Sequence, residues 1–240
     1  VAQQNKRRRS ELAALQSQIN PHFLYNTLES ITWMVEGGKN QDAVFMISEL
    51  AKLFRISLSN GRTIISIEDE LKHCKNYMNI QKYRYKERFV TDYDVSEEIY
   101  HFCTVKLIMQ PILENAIYYG VGNMDADDNP RILVRGWKND NDIYLAVSDN
   151  GMGMRREDVR NILSDNQKVP KHGCGVGLIN VHTRIQLMFG VKYGLIVESE
   201  PDEGTTVTIH LPAVPYTEEN CELLENGVKK PGNEGDYDKT

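Results

Sequence analysis

His22 lies in the run Leu15-Gln16-Ser17-Gln18-Ile19-Asn20-Pro21-His22-Phe23-Leu24-Tyr25-Asn26-Thr27-Leu28. On a helix, Gln18, His22 and Asn26 share one face at four-residue spacing, with Glu29 nearly beneath them. Imidazole has a reference pKa of about 6.5, so near neutral pH one ring nitrogen keeps a lone pair and can act as a nucleophile. Pro21 removes a backbone hydrogen bond from a helix at a cost of about 3 kcal/mol, which predicts a bend beside the imidazole. Taken alone, a histidine on a helix is more often structural than reactive.

Three further pieces lie downstream, and each has a plain reading beside the chemical one. Glu114-Asn115-Ala116 sits in the apolar stretch Gln110–Gly120. Polar side chains there are costly to bury without partners, and their oxygens suit Mg²⁺; a helix face meeting solvent is the plainer account. Asp149-Asn150-Gly151-Met152-Gly153 ends an apolar strand. A carboxylate there can accept from the amino group of adenine, and glycines let backbone approach a flat base; a tight Asp-Asn-Gly turn explains the same residues. Gly173-Cys174-Gly175-Val176-Gly177-Leu178 opens a helix, where exposed amides and the helix dipole favour phosphate. It is neither a dinucleotide fingerprint nor a Walker loop. The polar stretch 155–172 suits a mobile lid.

The elements that must position these groups fall into two kinds. Residues 6–35 lack glycine, and Leu12, Leu15 and Ile19 have coiled-coil spacing. Gly37-Gly38-Lys39-Asn40 turns the chain into a second helix with Val44, Ile47, Ala51, Phe54 and Leu58 on one stripe. So short a turn makes the pair antiparallel, and two copies would bury the stripes as a dimeric four-helix bundle. A third helix is expected from a Ser66 cap to about Arg88. Beyond it, strands are expected at 89–95, 131–138, 142–149, 195–199 and 205–211, with helices at 106–119 and 177–189. The fold class is therefore α+β, a helical hairpin followed by an α/β sandwich. The expected divisions are 1–87 for dimerisation, 88–213 for the sandwich, and 214–240 as an acidic, disordered tail.

The net charge is −6, of which the last 27 residues hold seven acids against three lysines. The body therefore lacks the broad positive field that nucleic acid requires. Four scattered cysteines without a CxxC pair argue against zinc or a disulfide scaffold. No run is long enough to span a bilayer, so the chain reads as soluble. Its start at Val1 suggests an excised fragment, and Lys6-Arg7-Arg8-Arg9 fits either a solvated helix start or a segment just inside a membrane.

Asn115, Asp149, the glycines at 173–177 and Gly204-Thr205 before a last strand occur in an order that resembles the ATP-binding fold of gyrase, the heat-shock chaperone, histidine kinases and mismatch-repair ATPases. The resemblance spans residues 88–212. It implies that Asn115 holds Mg²⁺, with Glu114 as a further candidate, and that Asp149 reads adenine. Gly151 and Gly153 would line the base, and Gly173, Gly175, Gly177 and Leu178 would border the phosphates. Thr205 would hold a water beside Asp149. Where the family commonly has a basic residue three positions after the asparagine, Tyr118 stands here, so that charge is either missing or supplied elsewhere, with Lys171 and His172 as candidates.

The Asn20–Asn26 run closely resembles the phosphoacceptor segment of the LytS/YesM-type sensor histidine kinases, and residues 76–85 resemble their connecting helix. This likeness implies ATP- and Mg²⁺-dependent autophosphorylation of His22 in a homodimer, followed by transfer to an aspartate of a response-regulator receiver domain. It also implies the cytoplasmic portion of a bacterial cell-membrane protein, attached through an upstream segment. Phe23 follows the histidine where many histidine kinases place an acid, so Gln18, Asn26 or Glu29 is left to orient the ring. Competing readings are an ATPase or serine-directed kinase on the same fold, and a non-catalytic nucleotide-binding module.

Overall fold

Helix formation at the front of the chain follows from two glycines and two apolar faces. The computed structural model describes residues 21–58, 62–122, 124–163 and 176–226. Helix α1 (Pro21–Glu36) and helix α2 (Asn40–Leu58) are antiparallel neighbours. Gly38 takes φ +72°, a left-handed conformation open to glycine, and the amide of Lys39 donates to Met34 O (2.7 Å) to close the helix end. Phe23, Thr27 and Ile31, four residues apart, form the buried face of α1 against Met46, Leu50 and Leu53 of α2.

Most of the stripe expected on α2 lies on its other side, although Phe54 packs against the core. Val44 is 64 %, Ile47 53 % and Leu58 66 % exposed. Helix α2 is thus apolar on two faces, and the second stays open in the single chain. Leu12, Leu15, Ile19 and Gln18 lie outside the described residues, as does the chain preceding Pro21.

Ser66 caps helix α3 (Ile67–Arg84) as its sequence predicts, its Oγ accepting from the amide of Asp69 at 3.1 Å. The helix ends at Arg84 rather than near Arg88, because Lys86 and Glu87 adopt positive φ. Helix α3 packs on α2, and it is also joined to the sheet-bearing part of the chain. Strand β1 (Ile64–Ser66) pairs antiparallel with β3 (Cys103–Val105). The buried carboxylate of Glu70 on α3 accepts from the amides of Leu107, Ile108 and Met109 at 2.8–2.9 Å. The expected break at residues 87–88 therefore falls inside a connected unit, and one core cluster runs from Phe23 to Cys221.

A five-stranded mixed sheet has the order β2-β4-β5-β7-β6, built from β2 (Val90–Val95), β4 (Arg131–Asn139), β5 (Asp142–Asp149), β6 (Gly194–Glu200) and β7 (Gly204–Pro212). Only β2–β4 is parallel. Ile132, Val134, Ile143, Leu145, Val147, Val207 and Ile209 alternate onto one buried face. Helix α4 (Gln110–Asn115) and helix α6 (Val176–Phe189) lie on that side; helix α5 (Arg156–Asn161) is a short piece against β6.

The tail expected to be disordered from residue 214 is ordered as far as residue 226. The amide of Cys103 donates to Val214 O (2.7 Å), and helix α7 (Glu218–Asn226) packs beside β1. Buried Cys221 anchors the helix, and Glu225 accepts from the amides of Thr63 (2.6 Å) and Ile64 (3.0 Å). Low overall hydrophobicity concealed these few anchors, which take their value from distant partners.

Candidate functional site

Helix α4 does not simply stop at Asn115. It widens into a π-helical turn over Ala116–Val121, where the amide of Gly122 reaches back to Ile117 O (2.7 Å). Such turns are rare and concentrate at functional sites. This one brings Gly120 against the end of β5. A Cβ on Gly120 would lie 2.6 Å from the carboxyl carbon of Asp149, and one on Gly151 would lie 2.4 Å from Gly120 Cα. The two glycines let helix and strand backbones touch, which seats the Asp149 carboxylate deep in the cleft.

The cleft measures about 220 Å³ and is lined by Asn115, Tyr119, Gly120, Asp149, Gly153, Met154, Leu178 and Thr205, among others. Its walls of Ile112, Val147, Leu178 and Val207 are apolar, as a flat base requires. Burial pushes the Asp149 carboxyl up to about 6, while the amides of Gly151 and Thr205 pull it the other way. The Gly151 amide donates to Asp149 Oδ1 at 3.0 Å. Thr205 stands opposite Asp149 in the β5–β7 register. Asn115 has a buried Nδ2 without a hydrogen-bond partner among the described residues. A buried orphan amide costs on the order of 1–3 kcal/mol, so this side chain is poised for a ligand in the cleft. Among the described residues no cluster of three or more His, Cys, Asp or Glu could hold a metal; Asn115 would hold Mg²⁺ together with ligand oxygens and water.

Other expected residues fall differently. Glu114 does not line the cleft. Its carboxylate accepts from Gln110 Nε2 at 2.9 Å, away from the cleft lining. A one-residue step along a helix turns the side chain by about 100°, so Glu114 and Asn115 cannot share a direction. Gly151 does not line the cleft either, since Gly120 occupies its open side. Gly153 does, at φ +62°, and a Cβ there would lie 1.9 Å from Glu200 O. Gly177 sits in the first turn of α6 beside Pro111. Tyr118 does not line the cleft. Gly173, Gly175, Lys171 and His172 lie outside the described residues.

Sequence reading missed Ser199. Its Oγ accepts from the Met154 amide (2.8 Å), contacts Thr205 Oγ1 (2.9 Å) and donates to Gly204 O (2.8 Å). It ties the glycine turn after β5 to the β6–β7 hairpin. A serine on the polar side of a strand gives no local sign of that role.

A larger hollow of about 390 Å³ lies on the open face of the sheet, around Leu133 and Ser148. It shares only Asp149 with the cleft, and its polar groups are paired: Arg131 with Asp92 (2.9 Å), Asn150 with the Arg131 amide (2.7 Å). The chemical residues converge on the smaller cavity.

On α1, His22 is exposed, and the Nδ2 of Asn26 lies 3.2 Å from both ring nitrogens. Only an unprotonated nitrogen can accept that hydrogen bond. Phe23, next in sequence, is 1 % exposed. The helix therefore buries one neighbour of the imidazole and leaves the ring itself on the surface.

Two family models match the chain: "Histidine kinase" over residues 10–89, and "Histidine kinase-, DNA gyrase B-, and HSP90-like ATPase" over residues 104–215. The sensor histidine kinase YesM of Bacillus subtilis is 38 % identical over 203 residues, covering 85 % of this chain and 33 % of that protein. The sensor protein LytS of Staphylococcus saprophyticus is 29 % identical over 216 residues, covering 90 % and 36 %. The chain thus spans about a third of the length of these curated relatives. The catalytic domain of histidine kinase ThkA, in a nucleotide-free form, shares the fold with a TM-score of 0.50 at 14 % identity, over 64 % of this chain and 97 % of that one. Together the matched segments and the cleft place this chain in the sensor histidine kinase family of the YesM and LytS type, of which it carries the histidine-kinase region and the ATP-binding domain.

Proposed function

We propose that this core binds Mg-ATP in the cleft and transfers the terminal phosphoryl group to His22, from which it passes to an aspartate of a response-regulator receiver domain. The observation that carries the reading is the convergence of Asn115, Asp149, Leu178 and Thr205 on one cavity, from elements far apart in sequence. The Asp149 carboxylate accepts from the adenine amino group, with Thr205 supporting a water beside it. Asn115 contributes an oxygen to Mg²⁺, which when bound neutralises charge on the phosphates. Gly177, in the first turn of α6, borders the phosphates, and the resemblance gives Gly173 and Gly175, which lie outside the described residues, the same role.

His22 attacks with its unprotonated ring nitrogen, and Asn26 orients the ring, with Gln18 as a further candidate for that role. The bond to the leaving ADP oxygen breaks, and the second ring nitrogen releases its proton. Tethering of cleft and imidazole in one chain gives a high effective concentration. The open apolar face of α2 together with exposed Trp33 and Tyr25 on α1 supports a homodimer in which a second copy covers it. No described helix is long and apolar enough to cross a membrane; as part of a longer sensor, this core would lie on the cytoplasmic side of a bacterial membrane.

The experiment is autophosphorylation with radiolabelled ATP. Wild type is expected to gain acid-labile, alkali-stable label. Both His22→Gln and Asn115→Ala should lose it, while His22→Gln still binds nucleotide. Label persisting in His22→Gln would remove His22 from its role; nucleotide binding without any label would favour a non-catalytic module.

A further inference from the structure

Asp149, Thr205 and Ser199 stand in a row across three strands. Thr205 of β7 is paired with Asp149 of β5 on one side and with Ser199 of β6 on the other. Asp149 and Thr205 line the cleft, whereas Ser199 is absent from its lining and reaches it through its neighbours. The Ser199 hydroxyl has one proton to donate and two lone pairs with which to accept, and its contacts assign all three. Gly204 O lies 2.8 Å away and can only accept, so the proton belongs there. The Met154 amide donates to one lone pair at 2.8 Å. The remaining contact, to Thr205 Oγ1 at 2.9 Å, must therefore be made by the proton of Thr205. With that proton turned toward Ser199, Thr205 has only lone pairs left for the cleft. The turn that carries Met154 is fastened to the β6–β7 hairpin a second time, by the Asp202 amide donating to Met152 O at 2.8 Å. Loss of the Ser199 hydroxyl therefore leaves that turn a support.

We propose that Ser199 is a positioning residue that fixes Thr205 as a hydrogen-bond acceptor toward the cleft and thereby sharpens its choice of base. This rests on the reading of Asp149 and Thr205 as the pair that meets the base. An ionised Asp149 accepts and does not donate. With Thr205 held by Ser199, these two residues offer the base end of the cleft acceptors alone. A water beside Thr205 gives one hydrogen to that hydroxyl and keeps the second for the base. Adenine matches both demands: its amino group donates to Asp149, and the unprotonated ring nitrogen beside it accepts from the water. Hypoxanthine has an oxo group and a protonated nitrogen in those places, so oxygen meets carboxylate and N–H meets O–H. Specificity of this kind comes from groups left unpaired in the wrong complex. Without the Ser199 hydroxyl, the Thr205 proton is free to turn into the cleft. A water that accepts it then presents a lone pair to the protonated nitrogen.

Lost support and lost polarity have different signatures, because support serves every nucleotide alike. Calorimetry in a His22→Gln background, which prevents turnover, would compare Mg-ATP with Mg-ITP, the hypoxanthine nucleotide. The chains are the parent, Ser199→Ala, Ser199→Thr, Thr205→Val and the double variant of Ser199→Ala with Thr205→Val, with thermal melts to establish that each is folded. Ser199→Ala is expected to narrow the preference for ATP by at least about fivefold, weakening ATP while ITP binds equally or more tightly. Ser199→Thr keeps the hydroxyl and should stay within about twofold of the parent. In the Thr205→Val background there is no hydroxyl to orient, so Ser199→Ala should change the ratio less than about twofold. Equal weakening of both nucleotides by Ser199→Ala would reduce the serine to a structural support and overturn the proposal. An undiminished narrowing in the Thr205→Val background would overturn it too, and either result leaves the nucleotide site intact. A parent that fails to bind Mg-ATP, or binds Mg-ITP as well, would overturn the underlying reading of the cleft and the proposal with it.

Discussion

Gly120 and Asp149 meet so closely that a methyl group on the first would stand 2.6 Å from the carboxyl carbon of the second. The π-helical turn after Asn115 and the end of β5 are thereby fixed against each other, and the carboxylate proposed to read adenine is set by a residue with no side chain. Intrinsic helix propensity favours alanine over glycine by about 1 kcal/mol, so propensity and fit oppose each other here. Fit is expected to win. Gly120→Ala should weaken Mg-ATP at least about tenfold and destabilise the fold by about 1–3 kcal/mol, as for other overpacked sites. Calorimetry and urea unfolding would measure both, and a variant with parental affinity would show that the contact yields freely.

Asp149 titrates close to neutrality, at about 6, because burial disfavours its charge. In the proposed role, accepting from adenine requires the carboxylate, so acid would compete with nucleotide. Affinity is expected to fall about fourfold between pH 8 and pH 5.5 on this account. Comparison with Asp149→Asn cancels the titration of the nucleotide itself, and that variant should lack this component. Stability moves the other way. With the folded pKa raised, this group's contribution is fully present below the unfolded value near 4 and is lost as pH rises through 6. Asp149→Asn should therefore melt higher than wild type at pH 8 while binding ATP more weakly.

His73 responds to acid in the opposite sense. Ser57 Oγ spends its proton on Leu53 O (2.9 Å), so His73 Nε2 must donate to Ser57 (3.1 Å), leaving a buried Nδ1 with no hydrogen-bond partner among the described residues. Burial, aided by the charge of Lys106, lowers its pKa to about 4. A depressed folded pKa means stability is complete above the unfolded value near 6.5 and is lost as pH falls toward 4. The loss by pH 4.5 is roughly 2–3 kcal/mol. Asp149 offsets part of this in the wild type, so the test compares pH dependences. Urea unfolding of His73→Gln should show a smaller loss from pH 7 to pH 4.5 than wild type; equal slopes would exclude the histidine as the cause.

Glu225 fixes the chain's last described helix to the segment entering β1. Its carboxylate takes two backbone donors, from Thr63 and Ile64. Removing it leaves amides that are only part-buried, so Glu225→Ala is expected to cost about 2 kcal/mol. Mg-ATP affinity should stay within about twofold, since Glu225 is absent from the cleft lining. Unchanged stability would mean that water replaces the carboxylate without loss.

Local patterning carried much of this molecule in its sequence. Alternation in residues 142–149 and 205–211, the Gly37-Gly38 stop and the Ser66 cap each act over a few residues, and those elements stand where the pattern puts them. The types and order of Asn115, Asp149 and Thr205 likewise pointed to a common site before any geometry, and the fold brings the three to one cavity. Tertiary structure alone decided what depends on residues distant in sequence. It paired β1 with β3 and β2 in parallel with β4, recruited Glu225 and Cys221 into an ordered end, and turned Glu114 away from the cleft to Gln110 while Asn115 faced it. It also set Gly151 directly against the backbone of Gly120. The physical reason is range: periodicity specifies which face of an element is apolar, whereas the partner that face meets is settled only when the packed chain brings remote residues within van der Waals reach.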